Sequence, residues 1–149
     1  MTRAEMRSVL RRWGKSKERL KTLNTKAKEI FATIDTIEGL QAVNMDGMPR
    51  SGVGHPTEAR ALRSMAYKED KEAELTQIYR EMDEIEKADF RIESAIIIYL
   101  TDRQEQVIRE MYQIGGTHEQ VAERLRIEPR VLRKRETLAI DKLIEELEK

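Results

Sequence analysis

The sequence of 149 residues contains no cysteine, which excludes disulfide bonds, thiolate metal sites and cysteine nucleophiles. Aromatic residues make up only 5% of it, with 3 prolines and 7 glycines. A large β-sandwich or α/β sheet would need more aromatic, β-branched and turn-forming residues. The longest apolar run is Ala95 to Leu100, so no segment is predicted to span a membrane. Because the basic amino terminus lacks the apolar core of a signal peptide, we expect a cytoplasmic protein.

Charged residues are abundant instead, at 38% of the chain, and they are unevenly distributed although the formal net charge is zero. Residues 1–28 carry ten basic and two acidic residues, whereas residues 69–93 carry ten acidic and four basic ones. Residues 124–135 carry six basic residues and one acid. Blocks of one sign indicate possible partners more directly than the total charge does.

Two long helices are predicted in the first hundred residues, from about Thr2 to Val43 and from about Thr57 to Leu100. Mostly apolar residues recur at alternating intervals of three and four in each, as in the seam of a coiled coil. The seam residues are Trp13, Ser16, Leu20, Leu23, Ala27, Ile30, Ile34 and Ile37 in the first helix and Leu75, Ile78, Met82, Ile85, Asp89, Ile92, Ile96 and Tyr99 in the second. The intervening segment 44–57, with three glycines and two prolines, is predicted to be a loop, either a flexible binding segment or a plain connection.

These helices predict an all-α fold with a long antiparallel coiled-coil hairpin. Folding about the loop sets the basic start of the first helix against the acidic stretch of the second, and it brings Asp89 near Trp13 and Ser16. The seam is narrow, so further helices or a second subunit should cover it. Residues 1–100 are therefore assigned to interaction or oligomerisation, and we expect a homo-oligomer, with a dimer favoured.

Three shorter helices are predicted in the last fifty residues. Threonines at positions 101 and 117 can cap the first two, over 103–114 and 118–125. Pro129 suits the first turn of the third helix, about three residues further on. Two helices joined by so short a turn, the second rich in arginine and lysine, follow the helix-turn-helix pattern.

The segment Leu100–Leu143 carries a T-x-E-x-V-A-x-x-L helix, a turn, and a helix that closes with A-x-x-K-L. This pattern resembles region 4 of sigma-70-type transcription factors. The matching residues are Thr117, Glu119, Val121, Ala122, Leu125, Ala139, Lys142 and Leu143, with Leu132 in the usual valine place. The whole chain, including the MPRSGVGHP loop, is similar to phage- and prophage-encoded sigma-region-4-like regulators, some of which activate late operons.

The resemblance implies a sequence-specific DNA-binding transcription regulator of phage origin. It would act inside a bacterial host cell, as an activator at a promoter together with RNA polymerase, and residues 101–149 would bind double-stranded DNA. Because a recognition helix enters the major groove with its amino end first, we predict groove-facing and phosphate-contacting residues there. The predicted groove residues are Arg130, Val131, Arg133, Lys134 and Thr137, and the predicted phosphate contacts are Arg124 and Arg126.

The basic stretch near the amino terminus is better explained by pairing with the second long helix. Arg3, Arg7, Arg11 and Lys15 nevertheless share one helical face, so they are candidates for auxiliary phosphate contacts. His55 and His118 are far apart in sequence and are interpreted as ordinary surface histidines.

No residue pattern points to catalysis. The carboxylates are spread over the helix faces, and there is no P-loop or dinucleotide-binding fingerprint. We therefore expect a non-enzyme that holds no metal or cofactor. Two alternatives stay open: a recognition subunit for phage DNA packaging, which would bind DNA as a large ring, and a module that binds polymerase or another protein without DNA.

Overall fold

A computed structural model describes residues 1–45 and 55–149, and the side chains of these residues except 40–45, 55–59, 61 and 62. All regular structure in this part of the chain is helical. The elements are α1 (Arg3–Met45), α2 (His55–Tyr99), α3 (Asp102–Arg109), a π-helical turn (Glu110–Ile114), α4 (His118–Leu125) and α5 (Pro129–Leu147). The predicted all-α class and the antiparallel hairpin of two long helices are confirmed.

The two long helices are longer than predicted at the ends that face the loop. α1 continues to Met45, and α2 begins at His55, so Thr57 lies inside α2 and is not its cap. The predicted loop 44–57 is therefore too wide at both ends. Its central residues, 46–54, lie outside the described part of the chain.

Packing divides the described chain into two compact units. One unit combines Met1–Arg19 with Glu84–Lys149, and the other is Leu20–Asp83. The functional division predicted at residue 100 stays a prediction, since it concerns roles rather than packing.

The unit Leu20–Asp83 holds a narrow apolar seam of the predicted kind. Leu23, Ala27 and Ile34 are buried, whereas the α2 seam residues Leu75 and Ile78 are only half-buried. An ion pair between Lys68 Nζ and Glu38 Oε1, at 3.0 Å, adds a link between the two helices. A pair of this exposure contributes little stability, so the seam supplies most of the contact.

The unit formed by Met1–Arg19 and Glu84–Lys149 has a core that joins both long helices to α3 and α5. Met6 and Leu10 extend the α1 seam towards the amino terminus, beyond its predicted start. The other buried members are Trp13, Ile92, Ala95, Ile96, Leu100, Ile108, Ala139, Ile140 and Leu143. Fully burying side chains of this size stabilises a fold by roughly 1.5–3 kcal/mol each.

The prediction that Tyr99 belongs to the buried seam of α2 is wrong. Tyr99 is 42% exposed, whereas Leu100 is buried. At the end of α2, Ile92, Ala95 and Ile96 are buried together with Leu100, which follows the helix. Tyr99 shares a helix face with Ala95 and Ile96, but it is the last residue of α2, where the chain leaves the helix and Leu100 takes the buried place.

The predicted caps of the short helices are confirmed. The Thr101 hydroxyl accepts a bond from the backbone N–H of Gln104, whose side chain accepts one from the backbone N–H of Thr101. Thr117 and Gln120 form the same reciprocal arrangement at α4. Each capping box satisfies two N–H groups that would otherwise lack partners.

The helix predicted over 103–114 is not continuous. α3 ends at Arg109, and a π-helical turn follows, closed by a 3.0 Å bond from the Gly115 N–H to the Glu110 carbonyl. This turn lies very close to α1: a Cβ on Gly14 would stand 1.7 Å from the Tyr112 carbonyl oxygen. Glycine at this position lets the backbone of the π-helical turn pack directly on α1.

The connection between α4 and α5 is three residues long, as predicted. Arg126 adopts a left-handed conformation (φ 56°, ψ 46°), which ends α4 in the way that glycine usually does. Glu128 precedes α5 without a side-chain capping bond, and Pro129 occupies the first turn. Leu132, fully buried, packs with Val107, Val121 and Ala122, so α3, α4 and α5 share one small core.

Candidate nucleic-acid interface

The amino-terminal half of α5 presents three cations to solvent. Arg130, Arg133 and Lys134 are exposed, while Val131 and Thr137 are partly buried beside them. Residues three and four apart lie on the same face of a helix. The structure therefore brings the predicted groove residues of α5 together on one surface, with the three charges outermost.

These cations are almost free of acidic partners. Arg133 Nη2 lies 3.5 Å from Glu119 Oε1, and both side chains are well exposed. Such a pair is worth at most about 1 kcal/mol. No ion pair within the described part of the chain involves Arg130 or Lys134, so their charge is available to an anionic ligand.

Arg124 and Arg126, which are predicted to contact phosphates, differ in how far their side chains are used in internal bonds. Arg124 donates from Nε to Glu110 Oε2 (3.1 Å) and from Nη2 to the backbone carbonyls of Glu110 (3.2 Å) and Gly115 (2.7 Å). Its guanidinium thus ties α4 to the first residue of the π-helical turn and to the residue that follows it. Arg126 is exposed at the turn before α5, close in sequence to the cations of α5.

The basic residues predicted as auxiliary contacts also fall into two groups. Arg3 donates two bonds of 2.8 Å to Asp141 of α5, and Arg7 Nε lies 3.4 Å from Glu136 of the same helix. These two arginines pair with α5 and not, as predicted, with α2, because α5 runs beside the amino end of α1. The hydrogen bonds raise the pKa of Arg3 and hold the pKa of Asp141 below its usual range.

Arg11 and Lys15 are different from Arg3 and Arg7. Both side chains are exposed, and within residues 1–45 and 55–149 neither forms an ion pair. Arg11 follows Arg7 at an interval of four, as Arg7 follows Arg3. It therefore continues the face of α1 on which Arg3 and Arg7 contact α5.

A buried carboxylate on α5 contacts side chains from three other elements of this unit. Glu136 is only 3% exposed. Its Oε1 accepts a 2.9 Å bond from the Tyr112 hydroxyl and the longer contact from Arg7, and its Oε2 lies 2.9 Å from His118 Nε2. Burial and the neighbouring carboxylate raise the pKa of Tyr112. One side chain thus links α1, the π-helical turn, α4 and α5.

The Glu136 network fixes the rotation of α5 about its own axis. Glu136 faces inward together with Leu132 and Ile140, so Lys134, two residues before it, lies on the opposite side of α5. Arg133 is exposed at the edge of that side. His118 was predicted to be an ordinary surface histidine, but in the structure its ring contacts the buried Glu136 carboxylate. Sequence reasoning missed Glu136 itself, although an acid between Leu132 and Ile140 in the apolar stripe of α5 was a usable signal.

A hollow of about 540 Å³ lies beside α1 and α2 in the same unit, lined in part by Trp13, Ser16, Asp89 and Phe90. Asp89 lines the same hollow as Trp13 and Ser16, and the direct pairing predicted for it stays a prediction. The Ser16 hydroxyl, however, donates to the Trp13 carbonyl at 2.7 Å and so does not serve Asp89. Arg109 covers the Trp13 ring at 5.8 Å.

Among the residues that the structure describes, no helix has an apolar stretch long enough to cross a bilayer. The same residues include no group of three or more histidine, aspartate or glutamate side chains placed to hold a metal ion. Comparisons of this chain with protein-family models, with curated proteins and with solved structures found no match.

Proposed function

We propose that this protein is a sequence-specific DNA-binding regulator of transcription. α4, the three-residue turn and α5 form the reading module, and the amino-terminal half of α5 enters the major groove. Arg130 and Arg133 meet base edges, because arginine can bond two acceptors of guanine at once. Lys134 contacts the phosphate backbone.

One observation carries this proposal: the unneutralised cations at the amino end of α5. The chain has equal numbers of acids and bases, and Arg3, Arg7, Arg109 and Arg124 are all used in internal bonds. On α5, Arg130 and Lys134 have no such partner among the described residues. A concentration of free positive charge on one short helix face matches the negative charge of a duplex.

The neighbouring surface of α1 supports a wider contact. Arg11 and Lys15 are exposed, and they continue the face of α1 on which Arg3 and Arg7 contact α5. We assign these two residues to phosphate contacts that flank the groove. Arg3 and Arg7 are assigned to holding α5, since their donors already bond to Asp141 and Glu136.

The promoter role rests on the resemblance alone. A sigma-region-4-like module implies that the protein works beside RNA polymerase, as an activator, in the cytoplasm of a phage-infected or lysogenic bacterium. No catalytic step belongs to this proposal.

The test is selection of a binding site from random duplexes, followed by affinity measurements across a salt series. The variant Arg130→Glu/Arg133→Glu should lose selective binding, whereas Arg63→Glu/Arg80→Glu, an equal charge change in the unit Leu20–Asp83, should retain it. Lys134→Ala should weaken binding to all sequences and lower the slope of log affinity against log salt by about one.

Other outcomes discriminate the alternatives. A folded wild-type protein that selects no sequence and shows no salt-dependent binding would refute DNA recognition and favour a protein-interaction module. Binding by a large closed ring would favour the DNA-packaging role. Arg130→Lys should relax specificity more than it lowers affinity, because lysine cannot replace a two-pronged contact.

A further inference from the structure

The side of α2 that faces away from the core carries three large apolar side chains. Phe90 is 75% exposed, Ile97 is 60% exposed and Ile98 is 67% exposed. Their spacing of seven and eight residues puts them on one face of the helix, opposite the buried Ile92 and Ile96. We call Phe90, Ile97 and Ile98 the outer stripe.

The outer stripe is larger than the usual scatter of exposed apolar residues. The three side chains together expose roughly 300–400 Å², in the range of the largest patches on monomeric proteins, which are often functional. Phe90 is one of only two phenylalanines in the chain. While Phe90 is exposed to water, the protein lacks the stabilisation that burial of an aromatic side chain provides.

We propose that the outer stripe binds the outer stripe of a second copy of this chain, with the two α2 helices antiparallel about a two-fold axis near Ser94. Antiparallel pairing sets Phe90 of each copy against Ile97 and Ile98 of the other. Ser94, small and half-buried between them, allows the helices to approach closely. The result is an isologous interface, in which both copies use the same surface.

The charges around the outer stripe favour a second copy as the occupant. Glu84, Glu86 and Lys87, all exposed, precede the stripe with two acids and one base, a net charge of −1, and the exposed Arg103 follows it at the start of α3. Because the helices are antiparallel, the end of each copy that carries Arg103 faces the negative end of the other, and this attraction occurs twice. Asp102, next to Arg103, lies in the first turn of α3, where the helix dipole favours a carboxylate.

A recess is also available to the second copy. The hollow of about 540 Å³ opens beside Phe90 and reaches Trp13 and Gly14. An isoleucine of the second copy that packs against Phe90 would border this hollow, and apolar side chains seated in recesses dominate the energetics of interfaces. The inference does not depend on DNA binding, which uses a different helix.

The first experiment is analytical ultracentrifugation of the full chain across a concentration series. We expect a dimer for the wild-type protein and at least a tenfold weaker dimer for Ile97→Asp, since the variant would bury an unpaired carboxylate. Phe31→Asp, a change at an exposed residue of the unit Leu20–Asp83, is the matched control and should dimerise as the wild type does. All three should show the same helicity.

A wild-type protein that stays monomeric up to about 100 μM would overturn the proposal. So would an Ile97→Asp variant that dimerises as tightly as the wild type, because the interface would then lie elsewhere. A closed ring of many copies would contradict a single two-fold pairing.

A second experiment uses the absence of cysteine in the chain. Ser94→Cys introduces one thiol at the proposed two-fold axis, and mild oxidation should link two copies through it. Ser8→Cys, at an exposed position on α1, is the control and should link only slowly. Equal rates of linkage for the two variants would refute the placement of the axis, since disulfides need Cα atoms within about 7 Å.

Discussion

Glu136→Ala tests whether the buried carboxylate holds α5 in place. The substitution removes the acceptor for three donors at once: the Tyr112 hydroxyl, His118 Nε2 and Arg7 Nε. It also removes a side chain that contacts α1, the π-helical turn and α4. The fold should persist, because the apolar core on either side of Glu136 is unchanged.

The expected loss of unfolding free energy follows from these contacts. A hydrogen bond to a charged group contributes about 1.5–3 kcal/mol, and breaking a buried ion pair costs about 3–5 kcal/mol. Arg7 and His118 are each roughly two-fifths exposed, so water replaces part of what they lose. We therefore expect a loss of about 2–4 kcal/mol, and about 1 kcal/mol for Tyr112→Phe, which removes a single donor.

The measurement is urea unfolding followed by far-UV circular dichroism, for both single variants and the double variant. Because Tyr112 and Glu136 bond to each other, their effects should not add. Glu119→Ala, which removes an exposed acid from the neighbouring helix, should change stability by less than about 0.5 kcal/mol. A Glu136→Ala protein as stable as this control, or strictly additive effects in the double variant, would refute the reasoning.

Three further changes have defined outcomes. Gly14→Ala should lower the free energy of unfolding by about 3 kcal/mol or more, because its Cβ would meet the Tyr112 carbonyl; melting at the wild-type temperature would contradict this packing. Arg126→Gly should stabilise the protein by about 0.5–1 kcal/mol in urea unfolding, because the residue is left-handed; a loss of stability would count against a strained turn. Asp141→Asn should remove the exposed Arg3 pair, which contributes little stability, and the whole of the small decrease in melting temperature should be seen at neutral pH. Because the pKa of Asp141 is lowered in the folded state, the deficit should vanish as the pH falls through and below that pKa; a deficit that persists in acid would contradict an ionic cause.

The parts of the fold that could be predicted from the sequence depend on local signals. Thr101 and Thr117, each followed at the third position by glutamine, mark two helix starts correctly, and Pro129 marks a third. These residues act on backbone groups within one turn of themselves, so their effect does not depend on the rest of the chain. The heptad spacing likewise identifies both long helices, because burial of one face imposes a helical period.

The parts that could not be predicted depend on contacts between distant segments. The π-helical turn exists where the Tyr112 carbonyl meets Gly14, and no local pattern near residue 112 encodes that approach. The charge blocks correctly predicted that the basic amino terminus pairs with acidic residues of another helix. The acidic partners of Arg3 and Arg7, however, lie on α5 and not on α2. Charge alone does not choose among several acidic helices; the choice follows from which helix the apolar core places alongside.

The Glu136 network could be predicted from the sequence only in part. An acid at position 136 interrupts the apolar stripe of α5, and a buried carboxylate requires partners. The sequence therefore indicates that some donors must approach this position. It does not indicate that they come from Tyr112, His118 and Arg7, since these residues belong to three other elements.

The compact unit that contains α5 is assembled from both ends of the chain, and this affects how the protein is made and dissected. Met6 and Leu10 are synthesised more than a hundred residues before their partners on α5. The core around them can therefore be completed only after translation has reached α5. A fragment cut at residue 101 would leave Ile140 and Leu143 without those partners. A minimal α5 module for biochemical work should therefore carry Met1–Arg19 as well as Glu84–Lys149.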